Sequence, residues 1–292
     1  MREIASVLLP VFLCAATGFL WRRTGRPFDR ELMTRLITDV GAPALIFSRL
    51  VSLDLDSAAL GRMAAAAALA LAAFAALSVP ILRVARLPLH TYLPPLVFVN
   101  AGNMGLPVCL FAFGDEGLGL ALVWFAVASA AQFSLGPPLW SGRWAVASWL
   151  RTPVVVATLL AVGARLAALA IPDALLRSAA LLGDLAVPLM LLTLGVSLAE
   201  LRIPRLGRPT ALAGLRLALG IAVGAAGAAL FGFEGTERGV FLLQCAMPVA
   251  VFNHLFAERY ARSPDEIAGT VVLSTLLGFA SLPWLLRWAW AA

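Results

Sequence analysis

The chain of 292 residues is 61% hydrophobic and 13% charged, with mean hydropathy +0.92, whereas a soluble domain carries about twice that charge fraction. A net charge of +6 would suit a nucleic-acid binder, but all 22 basic residues are Arg and they collect in short loops, the pattern of membrane-topology signals rather than of a phosphate-binding face. Composition therefore excludes a soluble fold and a nucleic-acid partner, and it sets a polytopic protein surrounded by membrane lipid.

The N-terminal MREIASVLLPVFLCAATGFLWRR has the polarity of a signal peptide. Its apolar stretch is too long, however, and ends in WRR where a small-residue cleavage site belongs, so it reads as a first span. Hydropathy and helix breakers predict ten helices over 4–21, 32–50, 60–82, 91–112, 117–140, 149–170, 174–199, 209–232, 238–258 and 266–289. No hydrophilic domain interrupts them, so the whole chain is one membrane domain. Loops rich in Arg alternate with poorer ones. The rich set holds Arg22, Arg23, Arg26 and Arg30; Arg83 and Arg86; Arg143 and Arg151; Arg202, Arg205 and Arg208; Arg259 and Arg262. The positive-inside rule makes that set cytoplasmic and puts both termini outside the cytoplasmic (inner) membrane.

The second helix contains TDVGAPALIFSRL (38–50) and the seventh GDLAVPLMLLTLG (183–195), each with an Asp four residues before a Pro: Asp39 with Pro43, Asp184 with Pro188. In the fourth, FVNAGNMGLPV (98–108) places Asn100, Asn103, Gly105 and Pro107 inside an apolar run. The ninth, LLQCAMPVAVFNHLF (242–256), repeats the theme with Gln244, Pro248, Asn253 and His254. Both pairs lie five helices apart. A repeat of odd length must enter the membrane from opposite sides, which predicts two inverted five-helix halves, 1–145 and 146–292, a plan used by secondary transporters.

Pro and Gly interrupt a helix, and backbone groups freed in hydrocarbon cost several kcal/mol each unless they find partners. Such breaks belong where they are buried in protein or line a wet cavity. If the broken fourth and ninth helices cross at the midplane, two half-helix N-termini meet there and favour a small organic anion such as a carboxylate. The alternative for Asn100 and Asn103 is that they cap a structural kink; for His254, that it is a satisfied structural His. Asp39, Asp184 and Arg216 fall inside predicted spans and are candidates for ion coupling or anion attraction. Arg35 and Asp39 are spaced to pair as i,i+4, and Arg35 and Arg216 can equally snorkel to an edge. Gly220 and Gly224 form a GxxxG packing seam. Cys14, Cys109 and Cys245 lie in apolar segments without CxxC spacing, so no disulfide, metal site or cofactor is indicated.

The GAPALIF stretch of the second helix, NAGNMGLPV, AVPLMLLTLGVSLA and AMPVAVFNHLFAERY together resemble the auxin efflux carrier family of membrane transport proteins, over the whole chain. The resemblance implies ten helices in a fold similar to bile-acid and sodium/proton symporters. Helices one, two, six and seven would form a scaffold; three to five and eight to ten would form a transport unit that moves as an elevator. It further implies substrate at the crossover of helices four and nine, with its prolines at Pro107 and Pro248 and its motif Asn at Asn100 or Asn103, and a homodimer. Asn253 and His254 match no family pattern. The expected function is a secondary carrier or facilitator for small organic anions, with H⁺ or Na⁺ as the candidate coupling ion. A channel or a non-transporting sensor is the alternative. An intramembrane aspartyl protease is the weaker one, since LLGD lacks the full GxGD, and HExxH and GxSxG are both absent.

Overall fold

A computed structural model describes residues 2–52, 56–142, 152–201 and 206–291. Arg143, Arg151, Arg202 and Arg205, the start of the predicted sixth helix and the boundary between the two repeats lie outside the described residues. Within them, the chain is helical and contains no strand. Six helical stretches, some of them interrupted, are long and apolar enough to cross a bilayer, over residues 3–23, 58–84, 101–141, 173–200, 207–231 and 264–290, with Pro153–Leu166 a shorter apolar helix. The molecule is a polytopic α-helical membrane protein.

The elements run α1 (Arg2–Arg23), α2 (Arg30–Arg35), α3 (Ala42–Ser52), α4 (Ser57–Val84), α5 (Leu89–Val97), α6 (Leu106–Ser141), α7 (Pro153–Leu166), α8 (Asp173–Gly183), α9 (Ala186–Glu200), α10 (Gly207–Phe231), α11 (Gly235–Cys245), α12 (Phe252–Arg259) and α13 (Pro264–Trp290). Several differ from the continuous helices that hydropathy predicts. A π-helical turn, Leu36–Gly41, separates α2 from α3. Its wider winding rotates everything downstream, so Arg35 pairs with Glu31 at 2.6 Å instead of with Asp39. Within α6, Gly114 has φ 65° and ψ −154°, a conformation that favours glycine. A Cβ on Gly117 would stand 2.9 Å from the Cys109 carbonyl oxygen. In a straight helix, residues eight apart are separated by about 12 Å, so the chain folds back at Gly114, between the stretches 91–112 and 117–140 that the sequence reading separates, and α6 is two helices.

Packing sorts the helices into two sets. In one, α1 packs on α9 and α3 on α7 and α8; in the other, α10 packs on α13, α11 and α4, α6 on α11 and α4, and α12 on α13. Bilayer helices gain little from apolar burial against one another, so close approach of small residues decides which faces meet. Gly18 of α1 lies on the Leu192 carbonyl of α9, and Gly195 of α9 lies on the Ala15 carbonyl of α1; a Cβ at either position would collide with backbone. Gly183 rests against Leu45 of α3 in the same way, at 2.7 Å.

These seams predict that Gly195→Ala lowers stability by ~1–3 kcal/mol through overpacking. Gly163→Ala on α7, where a Cβ meets nothing within 4 Å, should be neutral or stabilising by ~0.5–1 kcal/mol. Thermal unfolding of the detergent-solubilised variants separates the two.

Candidate substrate site at the helix crossover

Between α5 and α6, and again between α11 and α12, the helix gives way to extended chain, and the two extended segments meet. Val99 and Val249 form an isolated antiparallel bridge. Asn100 N donates to Pro248 O at 2.8 Å and Ala250 N donates to Phe98 O at 3.1 Å. The polar breaks that the sequence displays five helices apart thus satisfy one another's backbone.

That pairing leaves carbonyls behind it. In an unbroken helix Leu96 O would receive the N–H of residue 100, but that N–H now serves Pro248. Cys245 O would receive the N–H of Val249, which instead donates to Ser274 Oγ at 3.1 Å. Arg216 of α10 supplies both replacements, donating to Leu96 O at 2.6 Å and to Cys245 O. It is fully buried and stacks over the Phe74 ring at 4.0 Å. Gly220, one turn along α10, brings the helix onto Cys245, where a Cβ would stand 2.5 Å from the carbonyl oxygen; Gly224 meets the Cys245 side chain. The GxxxG seam therefore positions the Arg. One guanidinium neutralises the partial negative charge at the C-terminal ends of both half-helices, α5 and α11.

A cavity of about 50 Å³ lies beside the crossing, room for roughly three to five waters at 10–15 Å³ each. Asn100, Asn103, Ser129 and Gln132 line it, with Thr38 from the π turn and Met190 from α9. Its apolar walls include Phe125, Phe133 and Phe252, the last two in edge-to-face contact at 5.3 Å. Walls come from both helix sets. Among the described residues no ionisable side chain lines it; the polar groups are amides and hydroxyls. Asn100 is buried and its Nδ2 has no hydrogen-bond partner among the described residues, and the same holds for Gln132 Nε2. Two amide donors without partners among the described residues, on side chains that line one small cavity, suit an oxygen anion, which a carboxylate provides.

The other sequence candidates occupy different places. Gly105 and Pro107 start α6, and the buried Gln244 side chain fills the space a Gly105 Cβ would need. Both amide atoms of Gln244 are without partners among the described residues. Pro248 contributes its carbonyl to the crossing. Asn253 is fully buried and donates through Nδ2 to Phe98 O at 3.0 Å and Ala250 O at 3.1 Å, so it holds the crossing's backbone. His254 Nε2 lies 3.4 Å from Glu258. Asp39 is exposed and accepts from Thr38 Oγ1 at 3.0 Å, one residue from the cavity wall. Asp184, also exposed, is bound by Arg49 at 3.2 Å, and Arg49 reaches Asp115 at 2.9 Å. Thr38, Ser129, Gln132 and the three Phe rings were missed by sequence reasoning. Gln132 alone left a signal, as an isolated amide within AVASAAQFSL.

A family model described as membrane transport protein matches residues 141–286. No curated protein matches the chain.

Removing the Arg216 guanidinium strands two buried carbonyls at ~1–3 kcal/mol each. Arg216→Leu is therefore expected to lower unfolding stability by about 2 kcal/mol or more, whereas Arg35→Leu, on an exposed pair, should cost under ~1 kcal/mol. Denaturant titration of the two variants makes the comparison.

Proposed function

We propose a carrier mechanism from the premise that this chain belongs to the membrane transport protein family, that of the auxin efflux carriers. The protein is a secondary carrier or facilitator that moves small organic anions, carboxylates in particular, across the cytoplasmic membrane. The observation that carries this reading is the antiparallel crossing of two broken helices beside a cavity lined by Asn100 and Asn103. A membrane helix bears the cost of such a break where the break serves a site.

On this reading the chain crosses the membrane ten times as two inverted repeats of five, with both termini outside. The set containing α1, α3, α7, α8 and α9 is a scaffold that also forms the homodimer. The set containing α4–α6 and α10–α13 carries the site and slides against it as an elevator. Three features support the division: the helices pack mainly within their own set, the cavity lies where the sets meet, and the crossing belongs wholly to the second set. Asn100 Nδ2 and Gln132 Nε2 bind the carboxylate oxygens, with Asn103 and the Ser129 hydroxyl beside them, while the start of α12 at Phe252 adds the positive end of a helix dipole. Neutral donors suit a carrier, because a fixed cation would hold the anion too firmly to release it. The Phe rings take the apolar part of the substrate. At 50 Å³ the cavity is contracted, so loading requires the two sets to part. Asp39, hydrogen-bonded to the cavity-lining Thr38, is the candidate proton carrier; Asp184 is engaged by Arg49 and Arg216 by the half-helix carbonyls, which leaves them positioning roles. Na⁺ is the alternative coupling ion.

Purified protein in liposomes should exchange a labelled carboxylate with saturation, and flux that rises linearly with concentration and carries large unitary currents would instead indicate a pore. Asn103→Ala should weaken half-saturation about tenfold, the equivalent of ~1.4 kcal/mol for one charge-assisted hydrogen bond, without changing thermal stability. Asp39→Asn should flatten the pH dependence of flux, and an unaltered profile would remove Asp39 from coupling.

A further inference from the structure

The face of α9 that meets the crossing carries two hydroxyls with no role in the site described above. Met190 of α9 lines the cavity, and α9 packs against the turn Ala101–Gly105 that holds Asn103. Side chains three and seven residues further along share a helix face, so Thr193 and Ser197 stand on Met190's side of α9. The opposite side belongs to α1, through Leu192 and Gly195. Thr193 is 5% exposed and Ser197 is fully buried. Neither hydroxyl has a hydrogen-bond partner among the described residues.

A hydroxyl withdrawn from water without a partner costs free energy, and a helix offers a remedy one turn back, at the carbonyl four residues earlier. Thr17, Ser134, Thr158, Ser178 and Thr275, on five different helices, all take it. Thr193 and Ser197 do not. Ser78 of α4 is the other buried hydroxyl in that state among the described residues, and it is isolated on its helix. The α9 pair is set apart by its place, one turn apart and in line with the cavity wall. At its far end α9 reaches Glu200, which Arg22 and Arg30 hold at 2.7 and 3.2 Å, the end that the proposed orientation puts in the cytoplasm. From Met190 to Ser197 is about 10.5 Å, two helical turns. The pair thus extends the polar lining of the cavity toward the cytoplasm, on the set of helices that the carrier reading keeps still.

We propose that Thr193 and Ser197 are the scaffold's share of the carboxylate site, met in succession as the crossing slides toward the cytoplasmic end of α9. One turn of sliding, about 5.4 Å, carries Asn103 from beside Met190 to the level of Thr193 and Leu194. A second turn brings it to Ser197. At each step a hydroxyl on the fixed set donates to the carboxylate that Asn100 and Gln132 hold on the moving one. Hydroxyls are neutral donors, so they hand the anion on, where a fixed cation would keep it. The inference rests on the carrier reading and adds to it the residues that the anion meets on its way to the cytoplasm.

The test uses the full chain in liposomes, first screened for saturable exchange of labelled lactate, benzoate and succinate. With the anion that saturates, Thr193→Val should raise half-saturation about tenfold, the loss of one hydrogen bond to a charged group. Thr193→Ser keeps the hydroxyl and should stay near the unaltered value. Neither should lower the thermal unfolding midpoint, because the hydroxyl has no partner to lose. A second arm introduces Ser197→Cys into a chain whose Cys14, Cys109 and Cys245 are replaced by Ala. A membrane-impermeant thiol reagent added from the cytoplasmic side should modify it, and the same anion should protect it. Val196→Cys, equally buried and about 100° round the helix, should stay unmodified. Normal saturation that Thr193→Val leaves unchanged, or that Thr193→Val and Thr193→Ser impair equally, would overturn the inference and leave the carrier reading standing. So would a midpoint lowered by Thr193→Val, the mark of a structural hydroxyl, or a Ser197→Cys chain that resists the reagent. Saturable exchange of none of the three anions by the unaltered chain would overturn the carrier reading, and this inference with it.

Discussion

In hydrocarbon a backbone amide or carbonyl without a partner costs several kcal/mol, and this chain breaks two helices in the middle of apolar runs. Everything near the crossing answers that constraint. The extended segments hydrogen-bond each other through Asn100 N and Ala250 N. Asn253 adds a side-chain donor to Phe98 O, Ser274 Oγ accepts from Val249 N, and Arg216 takes the carbonyls of Leu96 and Cys245. Pro248 fits because its missing N–H leaves one donor fewer to satisfy. Once these groups are satisfied, Asn100 Nδ2 and Gln132 Nε2 remain without partners among the described residues, on side chains that line the cavity.

The division of charge follows from the same geometry. Among the described residues, Arg216 is the cation that holds the crossing, buried on the half-helix C-termini, while the cavity is lined by neutral groups. On the proposed reading, an arginine in front would bind an anion and keep it, whereas an arginine behind supports the crossing and leaves the anion to weaker, exchangeable donors. The ion pairs fall into place around this. Arg62 with Glu237 and Arg208 with Glu266 tie helices inside one set, and Arg22 and Arg30 with Glu200 tie the other. Arg49 joins Asp184 of its own set to Asp115 at the fold-back beside Gly114, across the boundary. On the proposed reading this half-exposed bridge is remade in each cycle, which a surface pair of under ~1 kcal/mol permits.

Much of the architecture was legible because membrane sequences write apolar length and helix breakers plainly. FVNAGNMGLPV and LLQCAMPVAVFNH carry their interruption in Pro, Gly and amides, and the structure brings those two stretches together. Gly220 and Gly224 announced a close seam, and α10 does approach α11 there. What stayed hidden depends on partners far along the chain. Arg216 reads as a candidate anion attractor or a snorkelling residue, and only the loss of i+4 donors at residues 96 and 245 explains its contacts. The i,i+4 spacing of Arg35 and Asp39 assumes regular winding, and a π turn between them leaves no mark in composition. Thr38, Ser129 and Gln132 are ordinary polar residues on membrane helices until tertiary packing aims them at one cavity.

Accessibility of position 103 bears most directly on the central claim, that the crossover is a substrate site opened alternately to each side of the membrane. With Cys14, Cys109 and Cys245 replaced by Ala and Asn103→Cys introduced, a membrane-impermeant thiol reagent is applied to oriented vesicles from one side or the other, with and without a saturating carboxylate. The account predicts modification from either side and protection from both by the carboxylate. Modification from one side alone, or from both with no protection, would contradict it.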